Sequence, residues 1–340
     1  MKKILCFLIP FLFWACDDDL DNPSPSGAST NCVAYVINQG NFYDGITGSL
    51  DAFTADGKYL RDVFATQNQG MRLGDTPQDG VIYGTKLYVA VYESNLLWVI
   101  DKKTAKVVKR LEINAPENVC AAYGKVFLTT NDGYLNALDT LSLNFENRVA
   151  VGPNPMGCAV KGNEVFVAVS DGYNYDNGYV NGKKVSVVDA LGMTVKREIP
   201  VGLNPTQVVA TKDAVYVVCS GNYADVLPEV WRIADGVAEK YADGTHIATN
   251  GEKLVVMNMK TDWATYITTI TYSIDLKGDA PPSPVSISVS PEGRLFVATD
   301  AKLNDYSSSG AVFEYDENGN FLNKHEAGCH PFKVVFDAGL

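Results

Sequence analysis

The sequence predicts an all-β protein in which seven repeats form a seven-bladed β-propeller. A Gly-x-x-Pro element recurs as GDTP, GPNP, GLNP and GCHP, and each copy precedes an apolar β-rich stretch. Looser copies fill the gaps, so that seven markers follow one another at intervals of 38 to 50 residues. Repeats of this length in β-rich sequence are typical of propeller blades.

Each marker is expected to begin the innermost strand of one blade. The markers are Pro77, Pro116, Pro155, Pro205, His246, Pro284 and Pro331. After Pro155, the stretches MGCAV, EVFVAV, KVSVVDA and TVKREIPV are predicted to be four successive strands. The second of them is nearly all apolar, as expected for a strand that is packed on both faces.

The two ends of the chain are predicted to share the last blade. The C-terminal stretch supplies an inner strand alone, while CVAYVIN, GSLDAFTADG and KYLRDVFAT supply three strands with no inner strand before them. We therefore expect the strand at Phe332–Phe336 to pair with the one at Val33–Asn38. Such pairing closes the last blade and removes the exposed sheet edges.

Residues 1–15 have the pattern of a lipoprotein signal peptide. Lys2 and Lys3 precede an apolar run too short to span a bilayer, and Ala15 stands directly before Cys16. Cys16 is the predicted lipidation site, and residues 16–31, acidic and then rich in Pro and Ser, are expected to be a disordered tether. Residues 32–340 then form the propeller.

The formal charge of -12 argues against some partners. A strongly acidic surface repels nucleic-acid phosphates and anionic lipid, so membrane association is expected through the lipid anchor only. Five cysteines remain in the propeller, without the spacing of a metal site, and are interpreted as small buried thiols. A disulfide is permitted by export but not indicated by the spacing of Cys32, Cys120, Cys158, Cys219 and Cys329.

Long loops rich in aromatic residues are predicted on one face of the propeller. They follow the second strands of five blades, whereas the hairpin turns of the opposite face are short. Tyr and Trp give wide, stiff contact surfaces with a polar group, which is what binding surfaces use. The aromatic candidates for ligand binding are Phe42, Tyr43, Tyr173, Tyr175, Tyr179, Tyr223, Trp263, Tyr266 and Tyr306.

The marker loops should reach the same face close to the central axis. Asn154, Asn204, His246 and His330 lie on them and are further candidates for ligand binding. The alternative for each Asn is a hydrogen bond within its own turn, and for each His a satisfied structural side chain. Trp98 and Trp231 fall within third strands and are interpreted as core residues.

Catalytic motifs are absent from the sequence, so an enzyme is not predicted. The chain has three histidines and no H-E-x-x-H or G-x-S-x-G element. A metal shared by His246 and His330 with Asp75 or Glu117 rests on a weak signal. The DENGN stretch at Asp316 is better explained by a hairpin turn than by a calcium loop. No catalytic residue, metal or cofactor is assigned.

The second-strand stretches LYVAVYESN, VFVAVSDG and YVVCSGN and the stretch VSVVDALGMTVKREIPVGLNP resemble the YVTN-type β-propeller repeat. With these repeats and the acidic run after Cys16, the chain is similar to surface lipoproteins of Bacteroidota that capture corrinoids of the vitamin B12 type. The resemblance implies a ligand-binding lipoprotein on the outer face of the outer membrane, with a TonB-dependent transporter as partner. A spacer on a periplasmic lipoprotein is the alternative for the acidic run.

Other functions remain compatible with these residues. A glycan, another bulky nutrient or a protein partner on the same face is the main alternative to a corrinoid. A metal-dependent or quinone-dependent enzyme is less favoured, because nothing in the chain resembles the repeated tryptophan docking motif of the quinone-dependent propeller dehydrogenases.

Overall fold

The computed structural model of the protein describes residues 30–259, 265–269 and 273–337. These residues form seven four-stranded antiparallel sheets. The first three strands and the α-helix that follows are β1 (Cys32–Asn38), β2 (Ser49–Thr54), β3 (Tyr59–Leu60) and α1 (Val63–Gln67). Two short 3-10 helices span Phe42–Asp44 and Tyr175–Asn177.

Sheets 1 to 4 follow the chain in order. Sheet 1 contains β4 (Pro77–Tyr83), β5 (Lys86–Val91), β6 (Leu96–Asp101) and β7 (Val107–Glu112). Sheet 2 contains β8 (Pro116–Ala122), β9 (Lys125–Thr130), β10 (Tyr134–Asp139) and β11 (Phe145–Ala150). Sheet 3 contains β12 (Pro155–Lys161), β13 (Glu164–Val169), β14 (Lys184–Asp189) and β15 (Val195–Pro200). Sheet 4 contains β16 (Pro205–Ala210), β17 (Val215–Cys219), β18 (Glu229–Ala234) and β19 (Val237–Asp243).

Sheets 5 to 7 complete the molecule. Sheet 5 contains β20 (His246–Thr249), β21 (Leu254–Met259), β22 (Thr265–Thr269) and β23 (Ser273–Ile274). Sheet 6 contains β24 (Ser283–Val289), β25 (Leu295–Asp300), β26 (Ser309–Tyr315) and β27 (Phe321–Cys329). Sheet 7 combines β28 (Pro331–Phe336) with β1, β2 and β3.

The predicted markers coincide with the starts of the first strands. Six of the seven marker residues are the first residue of their strand, and Pro284 is the second residue of β24. Proline fits such a position because its missing N–H and fixed φ suit the first residue of a strand. The four strands predicted after Pro155 are also confirmed as β12 to β15.

Apolar side chains fill the spaces between neighbouring sheets. The second strands are almost fully buried, as in LYVAV of sheet 1 and VFVAV of sheet 3. One core cluster joins Tyr88 and Leu97 of sheet 1 to Val126 and Leu128 of sheet 2. The sheets therefore pack face to face in sequence order, which gives a propeller-like arrangement.

Sheet 7 is built from both ends of the described chain. Strand β28 pairs antiparallel with β1, with Tyr35 opposite Val335 and Val36 opposite Val334. This pairing confirms the predicted partnership of the two terminal strands. Strand β28 also contacts β24 of sheet 6 and β4 of sheet 1.

The sequence prediction for the last strand of sheet 7 was wrong in part. The stretch KYLRDVFAT was predicted to be one strand, but β3 covers two residues and helix α1 replaces the rest. The side chain of Asp62 caps α1 by accepting a hydrogen bond from the N–H of Ala65 at 3.4 Å. Val63 and Phe64 then lie buried, and Phe64 packs against Trp98 with the ring centres 5.2 Å apart. Burial of two successive apolar residues is incompatible with a strand that has one solvent face.

The tryptophans predicted to be core residues pack inside the sheets. Trp98 is buried and its indole N–H donates to the carbonyl of Leu73 at 2.6 Å. Trp231 is half-buried and donates to Glu229 Oε1 at 2.6 Å. Across the described ranges, no helix has the length and apolar character needed to cross a membrane.

Candidate functional site

One end of the seven sheets carries the long loops, and we call it the loop face. At this end each first strand begins and each second strand finishes, as the pairing of Pro77 with Val91 and of Pro155 with Val169 shows. The connecting loop is long in sheet 7 (39–48), sheet 3 (170–183), sheet 4 (220–228) and sheet 6 (301–308). It is short in sheet 1 (92–95) and sheet 2 (131–133).

The residue before the marker proline has a left-handed backbone in five sheets. These residues are Thr76, Ala115, Asn154, Asn204 and His330, with φ between 39° and 57°. Asn tolerates this conformation better than most residues, which explains its place in GPNP and GLNP. The sharp turn directs the chain from the loop face down into the first strand.

The two asparagines on the marker loops hold neighbouring loops in place. Asn204 is buried, accepts a hydrogen bond from Ser170 Oγ at 2.7 Å and donates to the carbonyl of Gly221 at 3.2 Å. Asn154 is half-buried, donates to the carbonyl of Asn131 at 3.3 Å and accepts from the N–H of Tyr173 at 3.2 Å. Both side chains thus position the loops rather than project freely from the face.

The loop of sheet 3 leans across the short loop of sheet 2 as far as sheet 1. Its base is fixed by Asp171, whose carboxylate accepts from Asn174 Nδ2 at 3.0 Å and from the N–H of Asn181 at 2.9 Å. The hydroxyl of Tyr173 lies 2.6 Å from that of Tyr92 and accepts from Asn131 Nδ2 at 3.0 Å. Three sheets are therefore linked at the loop face by side-chain hydrogen bonds.

Below Tyr173, a row of polar side chains forms what we call the polar floor: Gln39, Gln78, Tyr92, Glu117 and Asn131. Gln39 contacts Gln78, and Gln78 Nε2 donates to Glu117 Oε2 at 3.3 Å. Asn131 Nδ2 lies 3.3 Å from Glu117 Oε1 and 2.7 Å from the hydroxyl of Tyr92. The floor thus presents amide, hydroxyl and carboxyl groups from sheets 7, 1 and 2.

Within the polar floor, the carboxyl of Glu117 has a raised pKa. Desolvation raises the pKa of its carboxyl to about 7, and the hydrogen bond from Gln78 opposes this only partly. Burial together with the hydrogen bond to Tyr173 likewise raises the pKa of Tyr92. Tyr92 therefore stays protonated at neutral pH, while Glu117 can change its charge there.

Most of the predicted aromatic residues in the described ranges are exposed on the loop face. Tyr43 and Tyr223 are 93% and 77% exposed. The other exposed rings among them are Phe42, Tyr173, Tyr175 and Tyr306. Tyr179 differs from the expectation, because its ring is buried under the sheet 3 loop. Trp263 and the side chain of Tyr266 lie outside the described residues.

The two candidate histidines have different surroundings. His330 is half-buried, and its Nδ1 lies 2.9 Å from Asp300 Oδ1. Its ring is 5.8 Å from that of Tyr306 and 6.4 Å from that of Phe332. His246 lines the central cavity next to Thr245, with Nδ1 3.0 Å from Thr245 Oγ1, and burial lowers its pKa to about 4. His246 is therefore neutral at physiological pH.

A cavity of about 550 Å³ runs along the axis between the first strands. Its walls come mainly from β4, β16, β20, β24 and β28. In this wall Asp79 is buried, contacts Lys333 Nζ and Asn118 Nδ2, and accepts from the N–H of Val119 at 3.0 Å. An ion pair thus joins the neighbouring first strands of sheets 7 and 1.

The described residues contain few groups that are suited to metal binding or nucleophilic attack. No group of three or more His, Cys, Asp or Glu residues that could hold a metal ion occurs in the part of the chain that is described. Burial raises the pKa values of Cys158 and Cys219, and that of Cys329 to about 11, so these thiols are poor nucleophiles. Asp316 accepts from the N–H groups of Asn318 and Asn320 at 2.9 and 2.8 Å, as the predicted hairpin turn requires.

Most residues of the polar floor were not predicted from the sequence. Gln39, Tyr92 and Asn131 directly follow second strands, and Gln78 and Glu117 are second residues of first strands. A signal was available in these positions, because repeats of one architecture place equivalent residues at equivalent heights around the axis. The contact of Tyr173 with Tyr92, 81 residues apart, has no local sequence signal.

Fold and loop face together define an all-β, propeller-like protein with a concentrated set of aromatic and amide side chains at one end. Its fold is similar to that of a quinonprotein alcohol dehydrogenase-like protein from Bacteroides thetaiotaomicron, at 16% identity and a TM-score of 0.64, covering 90% of this chain and 78% of that chain. The chain belongs to the DUF5074 family, a domain of unknown function, which matches residues 33–233.

Two further solved structures share the fold at lower identity. Kuenenia stuttgartiensis hydrazine synthase is 13% identical with a TM-score of 0.60, covering 76% of this chain and 89% of that chain. Apo AztD from Citrobacter koseri is 11% identical with a TM-score of 0.55, covering 91% of this chain and 98% of that chain. At these identities the likeness concerns the fold alone. A comparison with curated proteins finds no matching sequence.

Proposed function

We propose that the protein binds a bulky, rigid small molecule on its loop face, with a corrinoid of the vitamin B12 type as the best candidate. The observation that carries the proposal is the combination of exposed rings with the polar floor on one face. A corrin ring is wide and amphipathic, and amide groups surround its rim. Aromatic walls suit the ring, and the amides of the floor suit the rim.

The loop face is organised before any ligand arrives. Asn154, Asn204 and Asp171 fix the loops of sheets 3 and 4 through hydrogen bonds to their backbone or side chains. Asn222 fixes the tip of the sheet 4 loop, because its Oδ1 accepts from the N–H of Val226 at 2.9 Å. A preformed face loses less conformational entropy when it binds, so a rigid ligand can be held without deep burial.

Calorimetry with cyanocobalamin and cobinamide tests the proposal. We expect the triple variant Tyr173→Ala/Tyr175→Ala/Tyr223→Ala to bind about 100-fold more weakly or worse, because exposed aromatic residues carry much of the energy of binding surfaces. The melting temperature should stay nearly unchanged, since these rings lie outside the core.

Tyr123→Ala is the matched control, because this exposed tyrosine lies on a hairpin turn at the opposite end of sheet 2. Its removal should leave the affinity unchanged. No heat and no melting shift with either corrinoid at tens of micromolar would contradict the corrinoid proposal. A glycan or a protein partner on the same face would then be the function to test.

We infer further that the seven sheets are the blades of one closed propeller, sealed by β28. The contacts of successive first strands, from β4 to β8 and onward to β28 and back to β4, support this inference. Closure gathers the inner edges of the sheets around the axis, which shields them from pairing with other chains.

We also propose that Cys16 is lipidated and that the protein lies on the outer face of the outer membrane, where it passes its ligand to a TonB-dependent transporter. The support is the sequence FWAC followed by an acidic run. Wild-type protein is expected to fractionate with membranes and to be removed by protease treatment of intact cells. A Cys16→Ser form that still fractionates with membranes would contradict lipidation, and survival of the wild type under protease would contradict surface exposure.

A further inference from the structure

Glu117 is a half-buried carboxyl in the polar floor for which the described residues supply no charged partner. Its two contacts are the amide nitrogens of Gln78 and Asn131, each at 3.3 Å. Asn131 Nδ2 also makes the shorter contacts, to Tyr92 at 2.7 Å and Tyr173 at 3.0 Å. The amide that faces Glu117 is thus engaged more closely elsewhere.

The carboxylate keeps unused capacity as an acceptor. An ionised carboxylate offers about four lone-pair positions, and two long contacts use only half of them. A buried carboxylate without a cation is unfavourable, because no opposite charge offsets the free-energy cost of its desolvation. A donor arriving from the loop face would supply the missing interaction.

We propose, building on the function proposed above, that Glu117 is a recognition subsite for an N–H group of the ligand. The carboxylate accepts a hydrogen bond from a peripheral amide or an ammonium group that approaches from the loop face. Gln78 and Asn131 position the carboxyl by holding one oxygen each. Binding therefore requires the ionised form of Glu117 and becomes coupled to proton release.

The ionisable groups on the surrounding elements do not replace Glu117 in this role. The hydroxyls of Tyr92 and Tyr173 are the titratable groups nearest to it in the hydrogen-bonded network. Asp75, Glu93 and Asp132 lie on the adjacent loops, and the ion pair of Asp79 with Lys333 lies one residue deeper on the first strands. None of these forms a described hydrogen bond with the Glu117 carboxyl.

Calorimetry with cyanocobalamin between pH 5.5 and 8.5 tests the subsite. With the pKa of Glu117 near 7, the carboxylate is mostly protonated at pH 5.5 and ionised at pH 8.5. Affinity of the wild type should rise about 30-fold over this range, the factor expected for a group that must lose its proton. Glu117→Gln should bind with less than about a 3-fold change over the same range. Glu93→Gln, an exposed acid on the adjacent loop, is the matched control and should keep the wild-type profile.

Melting of the unliganded protein gives a second readout. Because the pKa of Glu117 is raised above its ordinary 4.5, the folded state favours the protonated form, and stability falls as pH rises from 4.5 to 7. Glu117→Gln should therefore melt at a higher temperature than wild type at pH 8.5, and this advantage should fade towards pH 4.5. A melting difference that does not vary with pH overturns the placement of an uncompensated carboxylate.

The possible results of these experiments distinguish a failure of the Glu117 subsite from a failure of the proposed function. Binding that is equally strong in Glu117→Gln and equally pH-dependent overturns the subsite and leaves corrinoid binding in place. Absence of any binding by wild type overturns the proposed function, and the subsite with it. A wild-type pH profile that disappears only in Glu117→Gln supports both.

Discussion

A chain that ends at Cys329, and so lacks β28, is expected to lose its cooperative unfolding transition. The deletion removes the buried side chains Val334 and Val335 and exposes the edge of β1, whose Val36 and Ile37 are fully buried in the intact protein. An empty first-strand position and a long apolar edge both favour aggregation. Denaturant unfolding followed by circular dichroism, together with the soluble yield, measures the loss.

A chain that ends at Asp337 is the control, because it keeps β28 and the ion pair of Asp337 with Lys102 at 2.5 Å. It should unfold like the full-length protein. If the chain ending at Cys329 unfolds with an unchanged midpoint, β28 does not seal the ring and the closed-propeller inference is wrong.

Replacing Asp79 by alanine is expected to lower the free energy of unfolding by about 2 to 4 kcal/mol. The change leaves Lys333 Nζ and the N–H of Val119 without their partner in the cavity wall. Breaking a fully buried pair costs about 3 to 5 kcal/mol, and the cost is reduced here because the Lys333 side chain is 38% exposed. Urea unfolding at pH 7 measures the difference.

Glu252→Ala provides the comparison on the surface. It removes the ion pair with Lys212 at 2.6 Å, in which both side chains are more than half exposed. Such pairs contribute about 0 to 1 kcal/mol, so this variant should unfold close to wild type. Equal effects of the two substitutions would mean that the axial ion pair does not stabilise the contact between sheets 7 and 1.

The order of the strands could be predicted because the repeat carries strong local signals. Each marker residue with a fixed backbone preference stands at or next to the start of a first strand. Short turns that contain Gly, Asn or Asp separate the first two strands in sheets 1 to 6. The error at α1 arose because YLRDVF is rich in aromatic and β-branched residues, which favour strands, while the Asp62 cap and the packing of Phe64 on Trp98 favour one helical turn. Tertiary contacts therefore determine the conformation of that segment.

The site could be predicted only in part, because loop conformation does not follow periodicity. Tyr175 and Tyr179 lie four residues apart in one loop, yet the first is exposed and the second is buried. The difference follows from the hydrogen bonds of Asp171 and Asn181, which curl the loop over Tyr179. The polar floor depends on contacts among three sheets, so no single stretch of sequence carries it.

The direction in which β1 runs determines how the molecule would sit above a bilayer. Strand β1 reaches the loop face at Asn38, so its first residue, Cys32, lies at the opposite end of sheet 7. If Cys16 carries the lipid, the segment 16–31 joins the body at the end opposite the loop face, so the exposed rings lie at the end away from the anchor. An extended segment of this length reaches roughly 50 Å. On the proposed function, the protein would take up ligand on the face away from the membrane, and it would have to turn over on its tether to bring that ligand to a transporter in the same membrane.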